Sequence, residues 1–154
     1  MLRKRVLLNA VIADEDGENA VACSILDTST YGAKVQLSDW TLQRDSQIFL
    51  IDTSNERAHL ATVVWTDADR AGLSFVRSYA LEAALPPRFE FLKRHLVEAK
   101  LRQVQALVSS GAAAEEAARA VGLSEEYLKR FGMSGIFEEK VALLLHQAKR
   151  LFSK

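Results

Sequence analysis

The stretch DTSTYGAKVQLS, residues 27–38, decides the fold because it joins a tight polar turn to an alternating strand. Its second half places Ala33, Val35 and Leu37 on one face and polar residues on the other, which is the period of a half-buried β-strand. Its first half consists of short polar side chains that end at Gly32, a composition typical of a tight connection between strands. The stretch therefore predicts that the chain turns back sharply into a strand.

Five further runs of β-branched and aromatic residues predict the rest of an antiparallel sheet. They cover residues 6–12, 19–26, 47–51, 58–65 and 73–76. In the second of these runs, Val21, Cys23 and Ile25 share one face, so we interpret Cys23 as a small core residue. Six strands with turns between them favour a small closed barrel or a sandwich.

The second half of the chain has a different composition, and it predicts helices. After Pro86-Pro87 the residues Ala, Leu, Glu, Lys and Arg dominate at helical spacing. The predicted helices cover residues 88–108, 113–121, 124–131 (with Ser124 as N-cap) and 136–152. We therefore expect an α+β chain, with a six-stranded antiparallel β-barrel at residues 1–82 and an α-helical bundle at residues 86–154.

Composition and charge restrict the class of protein. The chain has 154 residues, of which 49% are apolar and 26% charged, and this excludes a largely disordered chain. We expect no membrane span and no signal peptide, and a single cysteine permits no disulfide within the chain, so we expect a cytoplasmic protein. The net charge is zero overall, and neither half has the dense basicity of a dedicated nucleic-acid binder.

The turn segment also carries the residues that suggest a ligand site. Asp27 and Ser29, at positions i and i+2 of an extended segment, are expected to point the same way. Asp27 could accept two hydrogen bonds from one planar ligand edge, such as that of guanine, and Ser29 could give or take one more. Gly32 allows a positive φ, so the chain can turn back into the third strand. The same residues are also typical of an ordinary capped turn that binds no ligand.

Taken with the basic N terminus, this segment resembles the PilZ family, whose members bind the bacterial second messenger cyclic di-GMP. The family pattern is Arg-x-x-x-Arg near the N terminus and Asp/Asn-x-Ser-x-x-Gly after the second strand, and Asp27, Ser29 and Gly32 match the second element. Residues 63–65 (Val-Val-Trp) and 72–75 (Gly-Leu-Ser-Phe) look like the closing strands of that family. The resemblance implies a barrel that binds cyclic di-GMP and needs no metal or other cofactor.

The arginine element departs from the family pattern. If Arg5 is the second family arginine, the first falls at Met1, and Arg3 and Lys4 are basic at a different spacing. In the family these arginines pair with phosphate oxygens and with guanine, so the loss of one should weaken binding without necessarily abolishing it. The ligand site that the resemblance implies consists of Arg3, Arg5, Asp27, Ser29 and Gly32.

Two other functions stay open, and neither is enzymatic. An adaptor that binds no ligand, and whose helices form a homo-oligomer or bind an unknown protein partner, would account for the incomplete arginine pair. Ala118 and Gly122 have the spacing of a helix-turn-helix, which would suit a DNA-binding regulator. DNA is the less favoured partner, because Glu125 and Glu126 at the start of the next helix would face phosphates with like charge. No pattern of catalytic or metal-ligating residues is present, so we expect no enzyme.

Overall fold

The computed structural model describes residues 4–38, 40–124 and 127, and for residues 4–8 it describes the backbone alone. The strands are β1 (Lys4–Ala13), β2 (Ala20–Thr28), β3 (Gly32–Gln36), β4 (Gln47–Asp52), β5 (Arg57–Asp67) and β6 (Arg70–Ala80). They pair antiparallel and close into a barrel in the order β1-β2-β3-β6-β5-β4. The predicted six-stranded barrel is therefore confirmed.

The predicted helical region after the barrel is also confirmed for the part of the chain that is described. A 3₁₀ turn at Pro87–Phe89 leads into α1 (Phe91–Ser109), and α2 (Ala114–Val121) follows. The helix that was predicted over 136–152 and most of the helix over 124–131 lie outside the described residues. None of the helices within the described ranges is long and apolar enough to cross a membrane.

The barrel interior is filled by the apolar faces that strand alternation predicts. Cys23, Ile25, Ala33, Val35 and Leu37 are all buried. The other buried members of this cluster are Ala10, Ile12, Leu42, Ile48, Leu50, Ala61, Val63, Ala71 and Leu73. Burial raises the pKa of Cys23 to about 12, which keeps the thiol protonated at neutral pH. Cys23 is therefore a core residue, as its position on the apolar face of β2 predicts.

Strand β4 is buried on both faces, because its outer face is covered by the chain that follows the barrel. Only its first residue is exposed, and a continuous apolar run is what a strand covered on both sides requires. The Phe49 ring packs edge-on against Phe89 at 5.3 Å and Phe91 at 5.8 Å between ring centroids. The chain divides into two compact units, Met1–Leu96 and Val97–Lys154, so these aromatic residues belong to the unit that contains the barrel.

The turn between β1 and β2 is tied to the same aromatic cover. Gly17 has φ +76°, and a Cβ on it would lie 2.4 Å from the Phe91 ring, so this position requires glycine. His95 forms a 3.0 Å hydrogen bond from Nε2 to the Gly17 carbonyl. The turn itself is closed by Asn19, whose side-chain amide donates to Asp14 Oδ2 at 2.8 Å.

Strand β6 is longer than the predicted 73–76. The additional residues include Arg77 and Ser78, which lie opposite Leu60 and His59 of β5. Backbone hydrogen bonds form this ladder whatever the side chains are, so a search for alternating apolar residues misses its polar end. A tight turn joins β5 to β6, and Ala68 occupies it with φ 51°.

Within the second unit, side chains cap the helix ends. Gly122 adopts the left-handed conformation after α2, with φ 78°. The Lys100 ammonium donates to the Val121 carbonyl at 2.9 Å, which compensates the negative end of the helix dipole. The Tyr127 amide donates to Ser124 Oγ at 3.1 Å, as predicted for Ser124 as an N-cap.

Candidate functional site

A β-bulge in β2 brings the carboxylate of Asp27 to the outer wall of the barrel. Ile25 lies opposite Val35, and Asp27 lies opposite Lys34, so Leu26 is an extra residue that reverses the alternation of the strand. Both sequence neighbours of Lys34 are buried in the core, which places Lys34 on the outer wall. Asp27 shares that wall, because its carboxylate forms an ion pair with Lys34.

A second bulge, in β5, brings a tryptophan to the same outer wall. Val63 lies opposite Leu73, and Trp65 lies opposite Gly72, so Val64 is the extra residue. The indole of Trp65 lies directly over Gly72, where a Cβ would fall 2.0 Å from the indole Nε1. Trp65 keeps 36% of its surface exposed. Gly72 therefore leaves the space that this ring occupies on the outer wall.

These residues form a continuous row across neighbouring strands, which we call the outer row: Asp27, Lys34, Gly72 and Trp65. Each member is the direct cross-strand partner of the next. Arg5, on β1, is the cross-strand partner of Asp27 and stands at the end of the row. Residues that lie directly opposite in an antiparallel pair have Cβ atoms about 4.5–5.5 Å apart. The register therefore places an arginine and a lysine on the two strands that flank Asp27.

The Asp27 carboxylate is held by Lys34 and has little exposure of its own. Lys34 Nζ lies 3.3 Å from Asp27 Oδ2. The Asp27 side chain is 11% exposed, whereas the Lys34 side chain is 31% exposed. Lys34 is therefore the more accessible member of the pair.

Ser29 lies in the turn that follows β2, between the second and third strands as the sequence predicts. Its Oγ accepts a hydrogen bond from the Tyr31 amide at 3.2 Å, and its own amide donates to the Gly32 carbonyl at 2.9 Å. Strand β2 ends at Thr28, so the extended segment that is expected to hold Asp27 and Ser29 on one face stops between them. Ser29 shapes the turn from within, and Tyr31 is left 68% exposed at its tip.

Gly32 is required for a reason other than the expected one. Among the described glycines, positive φ occurs at Gly17, Gly111 and Gly122, so Gly32 does not use the positive φ that glycine allows. A Cβ on Gly32 would lie 2.2 Å from the Leu73 carbonyl oxygen. Glycine is needed here because β3 begins in close contact with the backbone of β6.

A stacked aromatic pair borders the turn. The Phe75 amide donates to the Tyr31 carbonyl at 2.8 Å, and its ring stacks on the His59 imidazole at 4.0 Å and 4° between planes. His59 Nδ1 lies 2.6 Å from Ser78 Oγ. Burial lowers the pKa of His59 to about 4, and the negative charge of Asp52 offsets only part of this shift. The imidazole is therefore neutral at physiological pH.

The structure brings some of the predicted site residues together and adds one that the sequence did not suggest. Arg5 and Asp27 are cross-strand partners, Ser29 and Gly32 form the adjoining turn, and Arg3 lies outside the described residues. Lys34 was interpreted only as an outward residue of an alternating strand. Its pairing with Asp27 depends on the bulge in β2, which leaves no mark in the periodicity of the sequence.

The barrel is similar to known protein domains. A family model described as "PilZ domain" matches residues 2–84. Among solved structures, the PilZ domain of CeSA from a cellulose synthesizing bacterium aligns at 17% identity and a TM-score of 0.41, over 64% of this chain and 97% of that one. An uncharacterized Legionella protein aligns at 11% identity and a TM-score of 0.37, over 65% of this chain and 91% of that one. No curated protein matches the chain.

Proposed function

Because the chain belongs to the PilZ domain family, we propose that it is a receptor for cyclic di-GMP, which it binds where the N-terminal arm meets the barrel. The observation that carries this proposal is the backbone register of Arg5 with Asp27, which makes an arginine and an aspartate direct partners on adjacent strands beside the Ser29 turn. The protein acts as a non-catalytic signalling protein of the bacterial cytoplasm.

Each residue of the proposed site has a role that its chemistry suits. The Asp27 carboxylate accepts hydrogen bonds from the N–H groups of one guanine edge. Arg5 pairs with a phosphate or stacks on a base, and Arg3 on the preceding arm contributes a second positive charge. Ser29 and Gly32 act on the backbone: Ser29 holds the turn closed, and Gly32 lets β3 lie against β6.

The incomplete arginine element leads us to propose micromolar or weaker affinity. A hydrogen bond to a charged group contributes about 1.5–3 kcal/mol, so one missing clamp weakens binding by roughly 10- to 150-fold. Titration calorimetry of the full chain with cyclic di-GMP tests the proposal. An absence of heat at about 100 μM ligand, which corresponds to about −5.5 kcal/mol, would refute it.

We further propose that the helical region after the barrel conveys the ligand state to a protein partner or to a second copy of the chain. A ligand can shift an equilibrium between two arrangements only if it binds them with different affinity. Light scattering on the full chain at tens of micromolar, with and without cyclic di-GMP, measures self-association. A monomer under both conditions would exclude a second copy as the partner in that range.

One observation favours the alternative of an adaptor that binds no ligand. The Asp27 carboxylate is nearly buried and already forms an ion pair with Lys34, as a purely structural aspartate would. A folded protein that gives no heat with cyclic di-GMP would support the adaptor. DNA binding through residues 113–131 is the third candidate, and the two glutamates at the start of the predicted third helix count against it.

A further inference from the structure

We propose that Lys34 reads the ligand base: together with Asp27 it recognises the Watson–Crick edge of guanine and discriminates against adenine. This inference rests on the proposed function, because it names a specificity residue in the same site. Lys34 belongs to none of the motif positions that suggested the site. It is assigned by its ion pair with Asp27 and by its place in the outer row.

The chemistry of the pair matches guanine. The guanine edge presents the O6 acceptor next to N1–H and the N2 amino group, which are donors. An ammonium has only donors to offer and an ionised carboxylate only acceptors. Lys34 can therefore donate to O6 while the Asp27 carboxylate accepts from N1–H and N2–H. Adenine would place its amino group against the ammonium and its ring nitrogen against the carboxylate, and both contacts would be unfavourable.

The geometry places the donor and the acceptor side by side. Lys34 Nζ lies 3.3 Å from Asp27 Oδ2, so the two charged groups already occupy adjacent positions on the outer wall. The backbone holds them there, because Asp27 and Lys34 are direct cross-strand partners beside the bulge at Leu26. One planar base edge can span both groups without a change of register.

Exposure gives the order in which the ligand meets the two groups. The Lys34 side chain is 31% exposed and covers a carboxylate whose side chain is 11% exposed. A lysine has a flexible four-carbon stem, so its ammonium can swing from Oδ2 to O6 while staying close to the carboxylate. Lys34 thus protects the charge of Asp27 in the free protein and becomes a ligand contact in the complex.

Titration calorimetry on full-length variants, with cyclic di-GMP and with cyclic di-AMP, tests this inference. Lys34→Met removes the charge and the donors while it keeps an unbranched side chain only one atom shorter, and Lys34→Arg keeps the charge and the donors. Arg44→Met is the matched control, because Arg44 is an exposed cation in the loop before β4, outside the outer row. Thermal unfolding of each variant verifies that it is folded.

We expect Lys34→Met to weaken cyclic di-GMP binding at least about tenfold, Lys34→Arg to restore it to within about threefold, and Arg44→Met to leave it unchanged. We also expect the preference for cyclic di-GMP over cyclic di-AMP to fall in Lys34→Met. An equal loss for both ligands, or no loss at all, would overturn the inference while leaving the receptor function in place.

A crystal structure of the wild-type protein in complex with cyclic di-GMP provides an independent test. Lys34 Nζ within hydrogen-bonding distance of guanine O6 would support the inference, whereas an ammonium directed at phosphate or at solvent would refute it. A wild-type protein that gives no heat with cyclic di-GMP would remove the receptor function itself, and that failure is distinct from both results above.

Discussion

Arg5 and Asp27 stand directly opposite each other in the antiparallel pair of β1 and β2. They are separated by 21 intervening residues in the sequence, and they come from the two elements on which the family resemblance rests. The barrel thus brings the basic N terminus and the turn segment to one place. On the other side of Asp27 stands Lys34, so a single carboxylate lies between strands that each carry a cation.

Removal of the Arg5 guanidinium should weaken ligand binding without unfolding the barrel. We expect Arg5→Ala to lower the affinity for cyclic di-GMP at least about tenfold, because a charge-assisted contact is lost. Binding by the wild type should also weaken as ionic strength rises, since salt screens the attraction between an arginine and a phosphate. Calorimetry at two salt concentrations measures both effects, with Arg44→Ala as the control. Equal affinity in Arg5→Ala and wild type would place the ligand elsewhere.

A methyl group at position 32 should destabilise the barrel. The Cβ of Gly32→Ala would lie 2.2 Å from the Leu73 carbonyl oxygen, so β3 and β6 must separate. Overpacking of this kind costs about 1–3 kcal/mol, which urea denaturation detects as a lower free energy of unfolding. Thr30→Ala, an exposed change in the same turn, should stay within about 0.5 kcal/mol of the wild type. A Gly32→Ala protein as stable as the wild type would contradict the close approach of the two strands.

The thiol of Cys23 should be unreactive in the native protein. Its pKa is raised to about 12 by burial, and the thiolate is the reactive form. We expect no reaction with Ellman's reagent at pH 8 in buffer and one reactive thiol per chain in urea. Between pH 9 and 12 the unfolded state loses this proton before the folded state does, so the free energy of unfolding should fall as pH rises. Rapid native labelling would show that the core opens at Cys23.

The imidazole of His59 should make the barrel sensitive to acid. Its pKa is lowered from 6.5 to about 4, so between these values the unfolded state binds a proton that the folded state does not. The free energy of unfolding should therefore fall as pH decreases from 6.5 to 4. Thermal unfolding at pH 7.5 and pH 4.5 measures this fall, and His59→Gln should reduce it. An equal fall in wild type and His59→Gln would mean that other groups cause the acid sensitivity.

The interior of the barrel could be predicted from the sequence because burial imposes a two-residue period on each strand. Val35 and Leu37 face the core as that period requires, and the turn segment was placed correctly between β2 and β3. The outer wall could not be predicted in the same way. The bulges at Leu26 and Val64 arise from pairing with neighbouring strands, and no local pattern encodes that pairing.

The residues that cover the outer face of β4 could not be predicted from the local sequence either. The sequence indicates an apolar run at residues 47–51, but a run alone does not say what lies on its second face. Phe89 and Phe91 provide that cover, and they come from the segment after the prolines. The same limit applies to Ser29. A serine at this position suggests a ligand contact, but in the structure its hydroxyl accepts a hydrogen bond from the Tyr31 amide and closes the turn.

The extra residue in β2 has a consequence for how insertions and deletions would act on this chain. Leu26 is one extra residue in a strand whose side chains otherwise alternate between two faces. Deletion of Leu26 would remove the bulge, and the aspartate would then follow Ile25 directly and still lie opposite Lys34 on the outer wall. A homologue that keeps Leu26 but pairs it regularly with Lys34 would instead set the aspartate opposite Ala33 and turn it toward the barrel interior, so the same motif residues would form no site on the outer wall.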